Sequence, residues 1–143
     1  MSVSSIVSGK GASVVTTTPD RTLHEAAQLM AQKGIGAVIV LGSRNEIVGI
    51  LSERDIMRAI AESGAAALEH RVSSHMTKNV VTTDMSATAV SVMQRMTAGR
   101  FRHMPIVENG QLSGIVSIGD LIKHRLSQLE EEQQALKEYI ATA

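Results

Sequence analysis

Cysteine is absent from the chain. That excludes disulfides, thiolate catalysis and cysteine-held metals, and suits a reducing compartment. Aromatic residues make up 1% of the sequence, with one Phe, one Tyr and no Trp. The core must therefore be aliphatic, and there is no row of rings on which nucleic-acid bases stack. Neither sign of charge is in excess: Lys plus Arg number 14 and Asp plus Glu number 14. A neutral chain lacks the general electrostatic footprint of a nucleic-acid binder, although a local basic patch is compatible with it. Long hydrophobic runs are missing too. The longest, Ala37 to Leu41, suits a buried strand rather than a membrane span. The opening MSVSSIVSGKGASVV has no basic segment followed by an apolar one, so no signal peptide is expected. These absences point to a soluble, cytoplasmic protein with neither a membrane nor a nucleic-acid partner.

What is present is a repeat. VVTTTPDRTLHEAAQLM begins at Val14, and VVTTDMSATAVSVMQRM begins sixty-six residues later at Val80. GIGAVIVL (34–41) lies over RFRHMPIV (100–107) in the same register. One residue is lost in the next turn, and GILSERD (49–55) then lies over GIVSIGD (114–120). Two copies fill most of the 143 residues, and repetition at such a period marks a structural unit used twice.

Each copy alternates strand and helix signals. VVTT (14–17) is β-branched and strand-like. Thr22 is placed as an N-cap, with Glu25 completing a capping box. Leu23, Ala26, Ala27 and Met30 follow helical spacing, and Gly34 ends that helix. Ala37–Leu41 and Ile47–Leu51 read as strands around a turn at Gly42 to Asn45. Ser52 opens a second helix whose expected inner face is Ile56, Met57 and Ile60. The second copy is expected to repeat this with strands at 80–83, 104–108 and 112–116, a helix near Thr88 to Ala98, and another from Asp120. The fold class is thus α+β: two β-α-β-β-α units, residues 3–65 and 66–125, with a helical tail at 126–143. A unit of this size buries too little surface alone. Packing the two with pseudo-two-fold symmetry solves that, and leaves two clefts in which ligands would sit.

The chemistry-bearing positions carry two readings each. Ser52-x-x-Asp55 and Ser117-x-x-Asp120 form a serine N-cap with an acidic third residue, which stabilises a helix start by about 0.5–2 kcal/mol. Alternatively, the Asp carboxylates accept hydrogen bonds from ribose hydroxyls, while the Ser hydroxyls and helix amides hold phosphate. Arg102 and His103 precede a buried strand, as a solvated entrance or as an anion site with Arg100 nearby. Arg54 is a surface residue of a first turn or a further cation. GKG at 9–11 is not a phosphate-binding loop, and no GxGxxG follows a strand. His24, His70, His75 and His124 lack metal-ligand spacing and read as surface or cap residues. No nucleophile motif appears. Leu126, Leu129, Gln133, Leu136 and Ile140 are spaced 3, 4, 3, 4, a narrow stripe suited to another helix, in this chain or in a second one.

Two β-α-β-β-α units, each ending in G-hydrophobic-hydrophobic-S-x-x-D, with RHMPIV in the second, resemble a tandem cystathionine-β-synthase (CBS) domain pair, or Bateman module. The resemblance covers roughly residues 3 to 125. GILSERD, HMT (75–77), RFRHMPIV and GIVSIGD together resemble the stand-alone bacterial and organellar pairs with a helical tail. It implies a non-catalytic regulatory module that binds adenine nucleotides as an energy sensor. AMP comes first, then ADP or ATP, with NAD(H) or S-adenosylmethionine in some members. It also implies a homodimer acting on a separate regulated protein. Carried over by position, one composite cleft would combine Ser52, Arg54 and Asp55 with Lys78, Val80, Arg102 and His103. The other would combine Ser117, Ile118, Gly119 and Asp120 with Lys10, Ala12, Gly36 and Ala37. Asp55 and Asp120 would take riboses, and backbone near Ala12 and Val80 would hold adenine. Gly36-Ala37 stands where the second copy has Arg102-His103, so the clefts would be unequal, and a redox sensor with NAD(H) in one of them is a second reading. A pure protein-interaction module is a third.

Overall fold

The structure is a computed structural model, which describes residues 2–10 and 14–142, with the side chains of residues 8–10 left aside. Helix α1 (Val3–Lys10) is followed by β1 (Thr16–Thr17), α2 (Leu23–Lys33), β2 (Ala37–Leu41), β3 (Ile47–Ser52) and α3 (Glu53–Ser63). Two 3₁₀ turns, Gly64–Glu69 and Val72–Ser74, lead to α4 (Ala89–Gly99), β4 (His103–Glu108), β5 (Gln111–Ser117) and α5 (Ile118–Thr142). One sheet has the order β1-β2-β3 and the other pairs β4 with β5. The architecture is mixed α+β, as the repeat predicts.

The backbone forms two compact units, and neither is continuous in sequence. One comprises residues 14–81 with 110–112; the other comprises 2–10, 82–109 and 113–142. The segment ahead of each sequence copy packs into the unit built on the other copy. Val3, Ile6 and Val7 of α1 are buried with Ala89, Val92, Met96, Met104, Ile106, Val116 and Leu121. Ala67 and Val72, ahead of the second copy, are buried with Leu23, Ala26, Met30, Val38, Val40, Leu51, Ile56 and Ala59. The backbone bonds echo each other. The Val72 N–H donates to the Arg21 carbonyl at 2.8 Å, and the Val3 N–H donates to the Ala87 carbonyl at 2.8 Å. Among the described residues neither core has a fully buried aromatic side chain, and Phe101, half-buried, packs against one of them.

Local signals explain the elements. Thr22 caps α2 with a full capping box to Glu25, and Gly34 ends it at φ 64°. Asn109 and Gly110 both take positive φ, the geometry that joins β4 to β5 tightly. Ala37–Val40 is buried throughout.

Three expectations are corrected. Of the strand expected over 14–17, only Thr16–Thr17 forms, in parallel with Ile39 and Val40. The strand expected over 80–83 reduces to a single parallel bridge, Thr83 to Ile106. That bridge is the counterpart of Thr17 to Val40 in the first copy. It cannot lengthen toward Val81, because the next bond needs an N–H at position 105, where the residue is proline; the first copy has Ile39 there. The inner face of α3 is Ile56 and Ala59, while Met57 is 68% exposed and Ile60 is 40% exposed. Hydrophobicity alone does not place a residue inside, and the 3.6-residue period rotates Met57 by about 100° from Ile56.

Candidate functional site

In the unit built on the first copy, β3 ends at Ser52 and α3 starts at once. Ser52 is extended, at φ −109° and ψ 163°, and its hydroxyl accepts from the Asp55 N–H at 3.3 Å. Asp55 answers through Oδ2, accepting from the Ser52 N–H at 2.9 Å and from the Ser52 hydroxyl at 3.0 Å. The capping reading of SxxD is therefore true of the local structure. It engages Oδ2; the nearest cation to Oδ1 is the exposed Arg58, at 3.7 Å. A carboxylate has about four lone-pair sites, so capping does not exhaust it.

The neighbouring strands close the frame. Ala37 is the cross-strand partner of Ser52, and the Gly36 carbonyl accepts from the Glu53 N–H at 2.9 Å. On the far edge of β3, Thr77 exchanges backbone bonds with Ile50 at 2.9 and 3.0 Å. Lys78 follows Thr77 directly. Gly49 is what permits this approach: a Cβ there would lie 2.5 Å from Met76 Sδ and 3.1 Å from the Thr77 carbonyl oxygen. Gly36, Ala37, Ser52, Arg54, Asp55, Lys78 and Val80 thus belong to one unit.

The other unit repeats the frame with different side chains. The Asp120 N–H donates to Ser117 Oγ at 3.1 Å, and Asp120 Oδ2 accepts from the Ser117 N–H at 3.0 Å. The Ile118 N–H donates to the Arg102 carbonyl at 2.8 Å, the counterpart of Glu53 to Gly36. His103 opens β4 and is half-buried, while Arg102 is exposed. Arg102, His103, Ser117, Ile118, Gly119 and Asp120 are brought together here, and α1, which ends at Lys10, is in the same unit. The Lys10 side chain and Ala12 lie outside what is described.

The two helix starts share their main-chain bonding and differ in what they display. In the first, the exposed cations include Arg54 and Arg58 on the helix and Lys78 after Thr77; in the second, Arg102 stands on the strand side and Gly119 is bare. A Cβ on Gly119 would meet only Ser117 Oγ, at 3.7 Å, and its φ is not positive. Neither packing nor backbone geometry therefore explains a glycine in the first turn. From the sequence, Arg100 is expected only as a neighbour of the anion site. It ends α4 in the left-handed region, φ 59° and ψ 42°, where the first copy uses Gly34. The signal was available in the repeat, which sets an arginine over a helix-ending glycine. His70 and His75 end the two 3₁₀ turns, with Nδ1 of the first 2.9 Å from Nε2 of the second. They are thus cap residues, joined by a mutual bond that their spacing in sequence does not announce. Among the described residues no three His, Asp or Glu gather as metal ligands.

The CBS-domain family profile matches residues 4–62 and 72–127. The chain belongs to the CBS-domain family. The CBS-domain protein ATU1752 from Agrobacterium tumefaciens is 46% identical, with a TM-score of 0.84 over 87% of this chain and 92% of that one. The mitochondrial CBS domain-containing protein CBSX3 of Arabidopsis thaliana is 32% identical over 96% of this chain and 71% of its own length. A second Arabidopsis relative, CBSCBSPB5, is 35% identical over 115 residues, but the chain spans only 21% of it. The CBS pair of MJ0100, solved with 5′-methylthioadenosine and S-adenosyl-L-methionine, shares the fold at a TM-score of 0.80 and 21% identity.

Proposed function

We propose that this CBS pair is a non-catalytic regulatory module that binds adenine nucleotides, AMP foremost, as an energy sensor. The observation that carries the reading is the twice-built helix start. Each has an Asp fixed by its own serine, a shared main-chain frame, and exposed cations alongside. Asp55 and Asp120 take ribose hydroxyls through charge-assisted bonds. Ser52 and Ser117, with Arg54, Lys78, Arg102 and His103, take phosphates. The bare Gly119 lets a ligand approach the Ile118-Gly119 backbone. Lys10, Gly36, Ala37 and Val80 complete the assignment, with Ala12. An adenosine moiety is common to both ligands of MJ0100, which supports the ligand class. ADP and ATP share that moiety and stand next to AMP; S-adenosylmethionine, which lacks phosphate, uses the basic residues least.

The unequal side chains at the two helix starts favour one further reading, a redox sensor in which NAD(H) occupies one site. In either case the protein acts as a homodimer on a separate regulated protein, and its setting is the cytoplasm. No helix among the described residues is long and apolar enough to cross a membrane. Thermal-shift screening of the full chain against AMP, ADP, ATP, NAD, NADH and S-adenosylmethionine tests this. A ligand at a hundred times its dissociation constant adds about 2.7 kcal/mol of stability, a shift of several degrees. A melting temperature unmoved by all six leaves the protein-interaction module instead.

A further inference from the structure

Helix α5 outruns the unit that it belongs to. Leu121 is fully buried, and Arg125 and Gln128 are half-buried, but every described residue from Leu129 onward is exposed. An isolated helical stretch of that length is marginal in water. Its apolar residues are not scattered. Ile122, Leu126, Leu129, Leu136 and Ile140 are each 44 to 65% exposed, and with Gln133 they recur at intervals of 4, 3, 4, 3 and 4. That is a heptad seam with Ile122, Leu129 and Leu136 at d and Leu126, Gln133 and Ile140 at a. It runs about 27 Å along the helix.

The flanking charges select the partner and its direction. Glu130 and Lys137 fall at e, and Arg125 and Glu132 fall at g. In a parallel, in-register pair, each g residue faces the e residue five positions later in the second helix. Arg125 then faces Glu130 of the other copy, and Glu132 faces Lys137. Every such contact is attractive, and symmetry doubles each. All six seam positions meet their own counterparts, with Gln133 against Gln133 as a polar layer that fixes register. An antiparallel pair using the whole seam would instead set Glu130 against Glu130 and Glu132 against Glu132. Shifting the register to relieve those contacts leaves about a third of the seam uncovered.

We infer that the exposed stretch of α5 pairs with the same stretch of a second copy as a parallel, in-register, two-stranded coiled coil. The inference does not depend on the nucleotide reading.

The absence of native cysteine makes the test direct. Gln133→Cys and Ile140→Cys, made singly in the full chain, are oxidised under mild conditions, with Gln134→Cys on the outer face as control. A disulfide needs Cα atoms within about 7 Å. Parallel pairing predicts disulfide-linked dimers at both 133 and 140 and little at 134. Linkage at one of the two seam positions only, at neither, or equally at 134, overturns the proposal. Sedimentation then reads the charges at two exposed positions. Glu132→Lys and Lys137→Glu each raise the dimer dissociation constant severalfold, and the double exchange returns it to within about twofold of wild type. A double exchange weaker than either single change contradicts parallel pairing.

Discussion

Gly119 and Arg100 occupy each other's expected places. Glycine lowers helix stability by up to about 1 kcal/mol relative to alanine, and here a Cβ would meet nothing closer than Ser117 Oγ at 3.7 Å. Gly119→Ala should therefore raise the melting temperature by a few degrees while weakening nucleotide binding, because the methyl would stand where the proposed ligand approaches the first turn. Arg100 holds φ 59° without the freedom of glycine, at a penalty of roughly 1–2 kcal/mol. Arg100→Gly should likewise stabilise the chain, seen as a higher midpoint in urea with an unchanged slope. If binding falls in the same variant, Arg100 joins the anion site; its presence at a strained helix end is otherwise unexplained by packing.

At the scale of elements, glycines decide which segments lie alongside which. Gly49 and Gly114 are equivalent in the repeat, yet they make room for different neighbours. A Cβ on Gly49 would press on Met76 and on the Thr77 carbonyl at 3.1 Å, whereas one on Gly114 would meet the Val7 side chain at 3.3 Å. Backbone yields less readily than a side-chain methyl. Gly49→Ala should therefore cost about 1–3 kcal/mol and Gly114→Ala less, and only the former should speed exchange of the Ile50 and Thr77 amides. The start of α2 gives a pH dependence. Glu25 is held below the usual carboxylate range, first by its hydrogen bond with Arg21 and then by the Thr22 N–H. A depressed carboxylate contributes stability that is full above its unfolded value, about 4.3, and is lost as the pH falls through its folded value. Glu25→Gln should thus lower the melting temperature near pH 7, with the difference from wild type narrowing below about pH 4.3.

Across the whole molecule, the doubled phrase was the most legible feature. GILSERD over GIVSIGD predicted two helix starts of one design, and the bonds of Ser52, Asp55, Ser117 and Asp120 follow that design. The strands Ala37–Leu41 and Ile47–Ser52 were equally plain, because apolar runs bounded by turn residues state their own structure, whereas only Thr16–Thr17 of the run expected over 14–17 pairs. Three features were not legible. Pro105 ends the β-bridge of its own copy early, a consequence that appears only once Thr83 is known to lie beside Ile106. Met57 is hydrophobic and still faces out. The exchange of leading segments, with Val3 in one core and Val72 in the other, depends on long-range packing that no local pattern encodes. Of the candidate site, the residue types were readable, while the main-chain links from Glu53 to Gly36 and from Ile118 to Arg102 needed the backbone.

As proposed, these helix starts hold an adenine nucleotide through their carboxylates. Calorimetric titration of AMP into the full chain, beside Asp55→Asn and Asp120→Asn, tests it most directly, since asparagine keeps an oxygen for the cap and removes the charge that binds ribose. Wild-type binding is expected at micromolar to millimolar concentration, with a loss of about tenfold, roughly 1.4 kcal/mol, at the site whose Asp is changed, and with melting temperatures of the free proteins within a few degrees. No binding by the wild type, or unchanged affinity in both variants, would contradict it.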